Sequence, residues 1–327
     1  MKTKPNIFDY ATSELSQDAM FAWLMSWSSP QYKDDNPMLY SAAVKFVRLL
    51  LNKNEKFHIN KIEVGRQWRN IDVWAEINDD VLLIIEDKVE TREHSNQLER
   101  YRQIAQEEYA GRNVQVFCSY IKTGNEPNAV LSKIREKGYN TIERNDILSC
   151  IGKYCSCHPL LQDYYTHLKN IDTLTQSYQT KLMKDWDWYA WQGFYKELEK
   201  YLVDANWSYV ANPAGGFLGM WWHYEETDDA EIYLQFEQSK LCFKIAVEGV
   251  ESRTDIRCKY YKILCDNSID YPEIKRPERF GTGTYMTIAC VDIEILWGKS
   301  VINIDDVVKK LHEYEAIVSK CAEIANN

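Results

Sequence analysis

The sequence has no long hydrophobic run, few glycines and prolines, and no excess of basic residues over its 327 positions. Its longest strongly apolar run, residues 81–85, is far short of the roughly 20 residues that a membrane-spanning helix needs. Lys2 and Lys4 lead into polar and acidic residues instead of the apolar core of a signal peptide. We therefore expect a cytoplasmic protein with no membrane partner, and 13 Gly and 8 Pro exclude collagen-like and low-complexity classes.

Nine cysteines at irregular positions, an odd number, predict reduced thiols that pack as small core residues, not a disulfide framework. The segment SCIGKYCSCH (149–158) gathers three cysteines and a histidine. It lacks the two-residue gap typical of paired zinc ligands, and no second pair has matching spacing. We therefore do not expect a zinc site.

The net charge of −10 argues at first against a nucleic-acid partner, because Lys and Arg supply most of the affinity for phosphate backbones. The acidic excess is, however, unevenly distributed. Residues 1–170 carry 22 Lys+Arg and 23 Asp+Glu, a net charge of −1, whereas residues 171–327 carry 17 and 26, a net charge of −9. The acidity therefore says little about what the first half binds.

Hydrophobic periodicity predicts strands mixed with helices in the first half of the chain. The predicted order is helices at 13–27 and 38–51, strands at 57–64, 70–77 and 81–88, a helix at 94–110, a strand at 113–121, a helix near 127–137 and a strand at 138–144. This order predicts an α/β fold, in which a sheet is layered with helices.

The second half predicts a separate α+β domain. We expect a first domain at 1–150, a helical linker at 151–180 and a C-terminal domain at 181–327, in which a β meander precedes further helices and a strand. The aromatic stretch at 186–195 and the pair Trp221-Trp222 could stack on bases, but their helical and strand spacing favours packing in a core. The acidic C-terminal domain could also contact a protein partner or a second copy of the chain.

The residues most suggestive of chemistry end the third predicted strand. Side chains alternate across a strand, so Glu86 and Lys88 share one face while Asp87 takes the other. If the preceding turn consists of residues 78–80, Asp72 lies directly opposite Glu86 on the same face. A two-residue turn would instead place Asp72 opposite Asp87.

Two carboxylates with a backbone carbonyl nearby suit Mg²⁺, with Mn²⁺ as a substitute, and Mg²⁺ commonly shares its ligands with phosphate. The lysine could position the attacking water or stabilise charge on the phosphate. On spacing alone, a solvated cross-strand ion pair explains Asp72, Glu86 and Lys88 equally well. Their place where an apolar strand emerges from the sheet favours a ligand site.

The next predicted helix adds Gln97 and Tyr101, which are four residues apart on one helix face and could point together at this site. An ordinary exposed helix face is the alternative. His94 could assist the site, although a solvated histidine at a helix start is more common. Five arginines flank the site and could hold phosphates: Arg66, Arg69, Arg92, Arg100 and Arg102.

Asp72 in NIDVWAEI, Glu86-Asp87-Lys88 after VLLII, and the Gln97–Tyr101 spacing resemble the PD-(D/E)XK nuclease superfamily, and the QxxxY element is similar to that of RecB-type members. The stretch NIFDYATSELSQDAMFAWLMSW resembles the opening helix of a largely uncharacterised bacterial family in this superfamily. The resemblance covers about residues 6–145. It lacks one common feature, since no proline precedes Asp72.

This resemblance implies a restriction-endonuclease-like mixed sheet flanked by helices and a role for each site residue. Asp72 and Glu86 would bind the metal, joined by the Asp87 carbonyl, with Glu14 as a supporting carboxylate. Lys88 would serve the water nucleophile. Gln97 and Tyr101 would orient Lys88 or the substrate phosphate.

We therefore expect a Mg²⁺-dependent nuclease that hydrolyses phosphodiester bonds, with DNA as the favoured substrate. The alternative is a catalytically inactive nuclease fold that acts as a binding or scaffold protein through its acidic C-terminal domain.

Overall fold

A computed structural model describes residues 4–91, 96–212, 215–249 and 252–327. Arg92 and His94 from the sequence-based predictions lie outside the described residues. The chain divides into two compact units, one formed by Met1–Glu126 with Val130–Thr173 and the other by Pro127–Ala129 with Leu174–Asn327. The predicted first domain ended at residue 150, whereas the first compact unit also takes in the segment up to Thr173.

The first unit contains a five-stranded mixed sheet with the strand order β1-β2-β3-β4-β5. Its strands are β1 (Ile62–Trp68), β2 (Ile71–Ile77), β3 (Val81–Lys88), β4 (Gln115–Lys122) and β5 (Asn140–Glu143). The pairs β1–β2 and β2–β3 are antiparallel, and the pairs β3–β4 and β4–β5 are parallel.

Helices cover both faces of this sheet. They are α1 (Glu14–Ser26), α2 (Pro37–Leu50), α3 (Gln97–Glu108), α4 (Asn128–Glu136), α5 (Arg144–Ile151) and α6 (Pro159–Thr175). Buried side chains of α1, α2, α5 and α6 share a core with one face of the sheet, and those of α3 and α4 share a core with the other. The prediction of a mixed sheet flanked by helices is confirmed.

The central strand of the first unit is β3, and all eight of its residues are buried. Leu83 and Ile85 pack on the side of α1 and α2, while Leu82 and Ile84 pack on the side of α3. A strand buried on both faces must be apolar at successive positions, which explains the unbroken run before Glu86. The charged end of β3 therefore emerges from the most buried part of the sheet.

The second unit contains a five-stranded antiparallel sheet with the strand order β10-β9-β8-β7-β6. Its strands are β6 (Asn206–Val210), β7 (Phe217–Glu226), β8 (Glu231–Glu237), β9 (Lys240–Ala246) and β10 (Tyr285–Asp292). Its helices are α7 (Trp188–Leu198), α8 (Arg253–Asn267), α9 (Ile293–Trp297) and α10 (Ile304–Ala325). Buried side chains of α7, α8 and α10 pack with one face of this sheet, so the α+β prediction is confirmed.

The aromatic residues singled out from the sequence separate into two environments. Trp186, Trp191 and Phe194 belong to the core of the second unit, as the packing interpretation predicted. Trp222 is also fully buried there, whereas its neighbour Trp221 lines a cavity on the opposite face of the sheet. Within the described residues, no helix combines the length and apolar character that crossing a membrane requires.

Candidate active site

The β2–β3 hairpin brings Asp72 and Glu86 opposite each other. Ile77 pairs with Val81 across a three-residue loop, and the antiparallel register runs back to Val73 opposite Ile85. Two of the three loop residues, Asn78 and Asp79, have positive φ angles, which Asn and Asp tolerate better than most residues. One further step along the register places Asp72 opposite Glu86, so the three-residue alternative is the correct one.

Asp72 and Glu86 form a close carboxylate pair at the end of the buried strand. Glu86 is only 1% exposed, and burial together with the nearby charge of Asp72 raises its pKa to about 8, against the opposing effect of Lys88. Asp72 Oδ2 also accepts a hydrogen bond from the backbone N–H of Asp87 at 3.0 Å. Burial and the neighbouring charge of Asp72 therefore oppose ionisation of Glu86, and a nearby cation favours it.

Lys88 lies on the same face as Glu86, as strand alternation predicts. Its ammonium group donates a short hydrogen bond to Glu86 Oε1 and a longer one, 3.3 Å, to the Asp87 carbonyl. Burial acts to lower the Lys88 pKa, but the Glu86 carboxylate outweighs it and raises the pKa above its ordinary value. The lysine is thus a buried cation in direct contact with one of the paired carboxylates.

The side chain of Asp87 points to the opposite face of the sheet, where it contacts α1. Its Oδ1 accepts a hydrogen bond of 2.7 Å from Gln17 Nε2, and Gln17 Oε1 in turn accepts one of 2.9 Å from Tyr164. Burial, reinforced by the charge of Asp18, raises the Asp87 pKa well above its usual range. Of the oxygens of Asp87, only the backbone carbonyl accepts a hydrogen bond from Lys88.

Glu14, the first residue of α1, reaches the segment that follows Lys88. Its Oε1 accepts hydrogen bonds from the Val89 N–H at 3.1 Å and from the Thr91 hydroxyl at 2.5 Å. Its Oε2 lies 4.0 Å from Lys88 Nζ. Glu14 is therefore next to the predicted site, and its contacts are with the chain leaving β3 and with the lysine.

One turn further along α1, Asp18 adds a buried carboxyl that the sequence analysis did not identify. The residue is 1% exposed, and burial together with the charge of Asp72 raises its pKa to about 7. Gln67 Nε2 approaches Asp18 Oδ2 at 3.5 Å. The spacing of four residues from Glu14 places both carboxyls on one helix face, and this pattern could have identified Asp18.

A second lysine, Lys122, which the sequence analysis did not identify, lies beside Lys88. The parallel register pairs Lys122 of β4 with Lys88 of β3. Lys122 is 1% exposed; its Nζ donates to the Thr91 carbonyl at 2.5 Å and lies 3.2 Å from the buried Glu126 carboxylate. Thr91 is consequently held by Glu14 through its hydroxyl and by Lys122 through its carbonyl. The sequence feature that could have identified Lys122 is that β4, like β3, is an apolar strand that ends with a lysine.

Gln97 and Tyr101 meet on α3, as their spacing predicts. Gln97 Nε2 donates to the Tyr101 hydroxyl at 2.9 Å, and the Tyr101 ring packs in the core on the α3 side of the sheet. Between described residues, no hydrogen bond joins either side chain to Lys88. The structure thus joins the two residues to each other by a hydrogen bond.

The flanking arginines of the described chain have partners within the protein. Arg69 lies 3.5 Å from Glu108, and Arg102 donates to the Lys137 carbonyl at 2.9 Å. Arg66 donates to the Leu15 carbonyl at 3.2 Å, and Arg100 lies over the Tyr101 ring. These contacts are mostly at the surface.

The donor set at the end of β3 is small. Over the ranges that the structure describes, no group of three or more His, Cys, Asp or Glu side chains is arranged to hold a metal ion. Asp72 and Glu86 nevertheless provide two carboxylates, with the Asp87 carbonyl beside them, and Glu86 Oε2 is buried without a hydrogen-bond donor from the described residues. Oxygen ligands in this number fit a hard divalent cation that keeps several of its waters.

Comparison with known proteins identifies one family. No curated protein and no solved structure matches the chain. The family model described as the PD-(D/E)XK nuclease superfamily matches residues 5–178, which is more than half of the chain. The match includes the β2–β3 hairpin, α1, α3 and Lys122, and it extends through α6. By this match, the chain belongs to the PD-(D/E)XK nuclease superfamily.

Proposed function

We propose that the protein is a divalent-metal-dependent nuclease that hydrolyses phosphodiester bonds of DNA, with Mg²⁺ as the metal and Mn²⁺ as its substitute. The observation that carries this proposal is the convergence of Asp72 of β2 with Glu86 and Lys88 of β3 on one face of the sheet, at the point where the buried strand β3 ends. Membership of a nuclease superfamily supports the same reaction class.

In this proposal, Asp72, Glu86 and the Asp87 carbonyl would hold the metal, which supplies charge stabilisation at the phosphate and a more acidic water. The close carboxylate pair favours a cation, because two neighbouring negative charges repel each other until one is neutralised. Glu14 is the supporting carboxylate, through its contacts with Val89 and Thr91.

Lys88 acts as a cation within this arrangement. Its ammonium group is held by Glu86 and the Asp87 carbonyl and can donate a hydrogen bond to the attacking water or to a phosphate oxygen. Gln97 and Tyr101 act at longer range, by orienting the substrate phosphate over the same edge of the sheet. The second unit would then select the target or a partner.

Cleavage assays test the proposal directly. Purified wild type would be incubated with linear, circular and single-stranded DNA in Mg²⁺ or Mn²⁺, beside Lys88→Ala and Glu86→Ala, with thermal unfolding to verify that the variants fold. We expect metal-dependent cleavage by wild type only. Wild type that cleaves no DNA and binds no metal by calorimetry would contradict the proposal and favour a noncatalytic binding protein.

A further inference from the structure

A β-bulge in β7 places the consecutive residues Trp222 and His223 on the same, helix-covered face of the second sheet, so that Tyr224 falls on the opposite face. The register between β7 and β8 shifts at this point, and His223 adopts a φ of 57°, which is strained for a residue other than glycine. His223 Nε2 lies 2.9 Å from Ser319 Oγ of α10, on the helix-covered face. Tyr224 lies on the open face, where its ring stacks on Tyr233 at 5.0 Å. Bulges of this kind often re-aim side chains at binding sites.

The open face carries a cavity of about 580 Å³, within the size range of small-ligand sites. Five aromatic side chains line it: Phe217, Trp221, Tyr224, Tyr233 and Tyr285. Tyr285 is 68% exposed, although it lies among these other rings. A cluster of aromatic rings left open on a sheet, opposite a well-filled core, is a candidate binding surface.

The side chains around this cavity carry more negative than positive charge. Lys244 is 9% exposed, and its Nζ donates to Glu237 Oε1 at 3.0 Å, so the floor of the cavity is neutralised internally. Glu226 and Glu231 lie opposite each other across β7 and β8, at the tyrosine end. Ion pairs between described residues of these strands use Glu225 and Glu237 and leave Glu226 and Glu231 uncompensated.

The combination of open rings and unpaired carboxylates selects a cation. Aromatic faces attract cations through the ring quadrupole, and a guanidinium group also stacks on them in a planar manner while its N–H fork matches carboxylate oxygens. The net charge of −9 over residues 171–327 adds a field that attracts basic polymers and repels phosphodiesters. A neutral nucleobase could stack on the rings and donate an amino group to a carboxylate, but it would not neutralise the charges of Glu226 and Glu231.

We propose that the cavity bordered by Tyr224, Tyr233, Tyr285 and Glu231 binds an arginine side chain of a basic partner protein. The guanidinium lies against the tyrosine rings, and its N–H groups donate to Glu231. The acidic surface of the second unit attracts the rest of the basic segment. This binding does not depend on the proposed cleavage reaction, so it can be tested whether or not the protein is a nuclease.

The test is a calorimetric titration of the full chain at low ionic strength. The probe is a glycine-spaced peptide with one central arginine and flanking lysines, and a second peptide carries uncharged citrulline in the central position. Tyr285→Ala and Glu231→Gln remove one ring and one charge from the cavity. Glu323→Gln, on the exposed side of α10, is the matched control because it removes a carboxylate from the same unit away from the cavity.

We expect wild type to prefer the arginine peptide to the citrulline peptide, and each cavity variant to bind the arginine peptide about two- to fivefold more weakly. Glu323→Gln should bind it as wild type does. Equal affinity for both peptides, or equal weakening by Glu323→Gln, would overturn the proposal and assign binding to the general field. Binding of thymidine or adenosine that Tyr285→Ala abolishes, without arginine binding, would overturn it in favour of a base site.

Discussion

Asp87→Asn tests which face of β3 carries the chemistry, because Asp87 and Glu86 are adjacent in sequence but lie on opposite faces of the sheet. Asp87 is fully buried, its Oδ1 accepts from Gln17, and burial holds its pKa well above the usual range. A neutral amide of the same shape keeps that acceptor and leaves the backbone carbonyl in place. Glu86→Gln makes the equivalent change one position earlier and removes one of the two carboxylates proposed to hold the metal.

The expected magnitudes follow from these contacts. Asp87→Asn should change the free energy of unfolding by no more than about 1 kcal/mol, since the hydrogen bond from Gln17 is kept. Asp87→Leu removes the acceptor and leaves the Gln17 amide unsatisfied in the interior, which costs about 1–3 kcal/mol and lowers the Tm by roughly 2–4 °C per kcal/mol. Cleavage by Asp87→Asn should stay within about threefold of wild type, whereas Glu86→Gln should lose at least about 100-fold.

The assay combines thermal unfolding at pH 7 with initial cleavage rates at saturating Mg²⁺ for wild type and the three variants. Glu86→Gln serves as the matched control for introducing an amide at the end of β3. Loss of cleavage in Asp87→Asn as large as in Glu86→Gln, with an unchanged Tm, would refute the assignment of the Asp87 side chain to the noncatalytic face.

Three further predictions concern the supporting residues. Asp18 is ionised in the unfolded chain above about pH 4, but its pKa is raised to about 7 in the fold. Wild type therefore loses stability as pH rises toward 7, whereas Asp18→Asn does not. The Tm of Asp18→Asn minus that of wild type should increase between pH 5 and pH 7.5 and then level off. A Tm difference that stays constant over this range would contradict this reasoning. Glu14→Ala releases Val89 and Thr91 and should reduce cleavage at least about tenfold, with Glu14→Gln retaining more activity because it keeps an acceptor; equal activity of the two variants would contradict the role of these contacts. Leu83→Ala should lower the free energy of unfolding by about 2–5 kcal/mol in denaturant titrations, since the side chain is fully buried in the central strand; a loss below about 1 kcal/mol would contradict that placement.

The hairpin that carries the site could be predicted because its signals are local. The apolar run before Glu86 indicated a strand buried on both faces, and the polar loop at 78–80 limited the register to two alternatives. Strand alternation then separated Glu86 and Lys88 from Asp87 without any tertiary information. The turn length was the one undetermined quantity, and the positive φ angles at Asn78 and Asp79 reflect the three-residue solution.

The first strand was predicted at 57–64 but spans Ile62–Trp68, and the reason lies in its partner strand. Gly65 lies opposite Trp74, and a Cβ at Gly65 would come within 2.4 Å of the Trp74 indole. A glycine that looks like a strand breaker in the sequence is thus required for the tryptophan to cover the strand. The tight turn to β2, at Arg69 and Asn70, places both residues at positive φ, which local propensity did not indicate.

The partners of the site from distant segments could not be predicted in the same way. Gln17 and Asp18 lie near the end of β3 only because of the orientation in which α1 packs on the sheet. Lys122 is a neighbour of Lys88 because β4 pairs in parallel with β3. Which strand pairs in parallel depends on the path of the connecting helix. These contacts join residues that are 34 to 70 positions apart in the sequence, beyond the range of periodicity.

Metal binding measured by calorimetry tests the central claim most directly, because it probes the Asp72–Glu86 pair without requiring the correct substrate. Mn²⁺ would be titrated into wild type, Asp72→Asn, Glu86→Gln and Lys88→Met, with Asp87→Asn as the matched control on the opposite face. We predict that wild type and Asp87→Asn bind Mn²⁺, that Asp72→Asn and Glu86→Gln each weaken binding at least about tenfold, and that Lys88→Met retains it. Mn²⁺ binding that survives unchanged in both carboxylate variants would contradict the account.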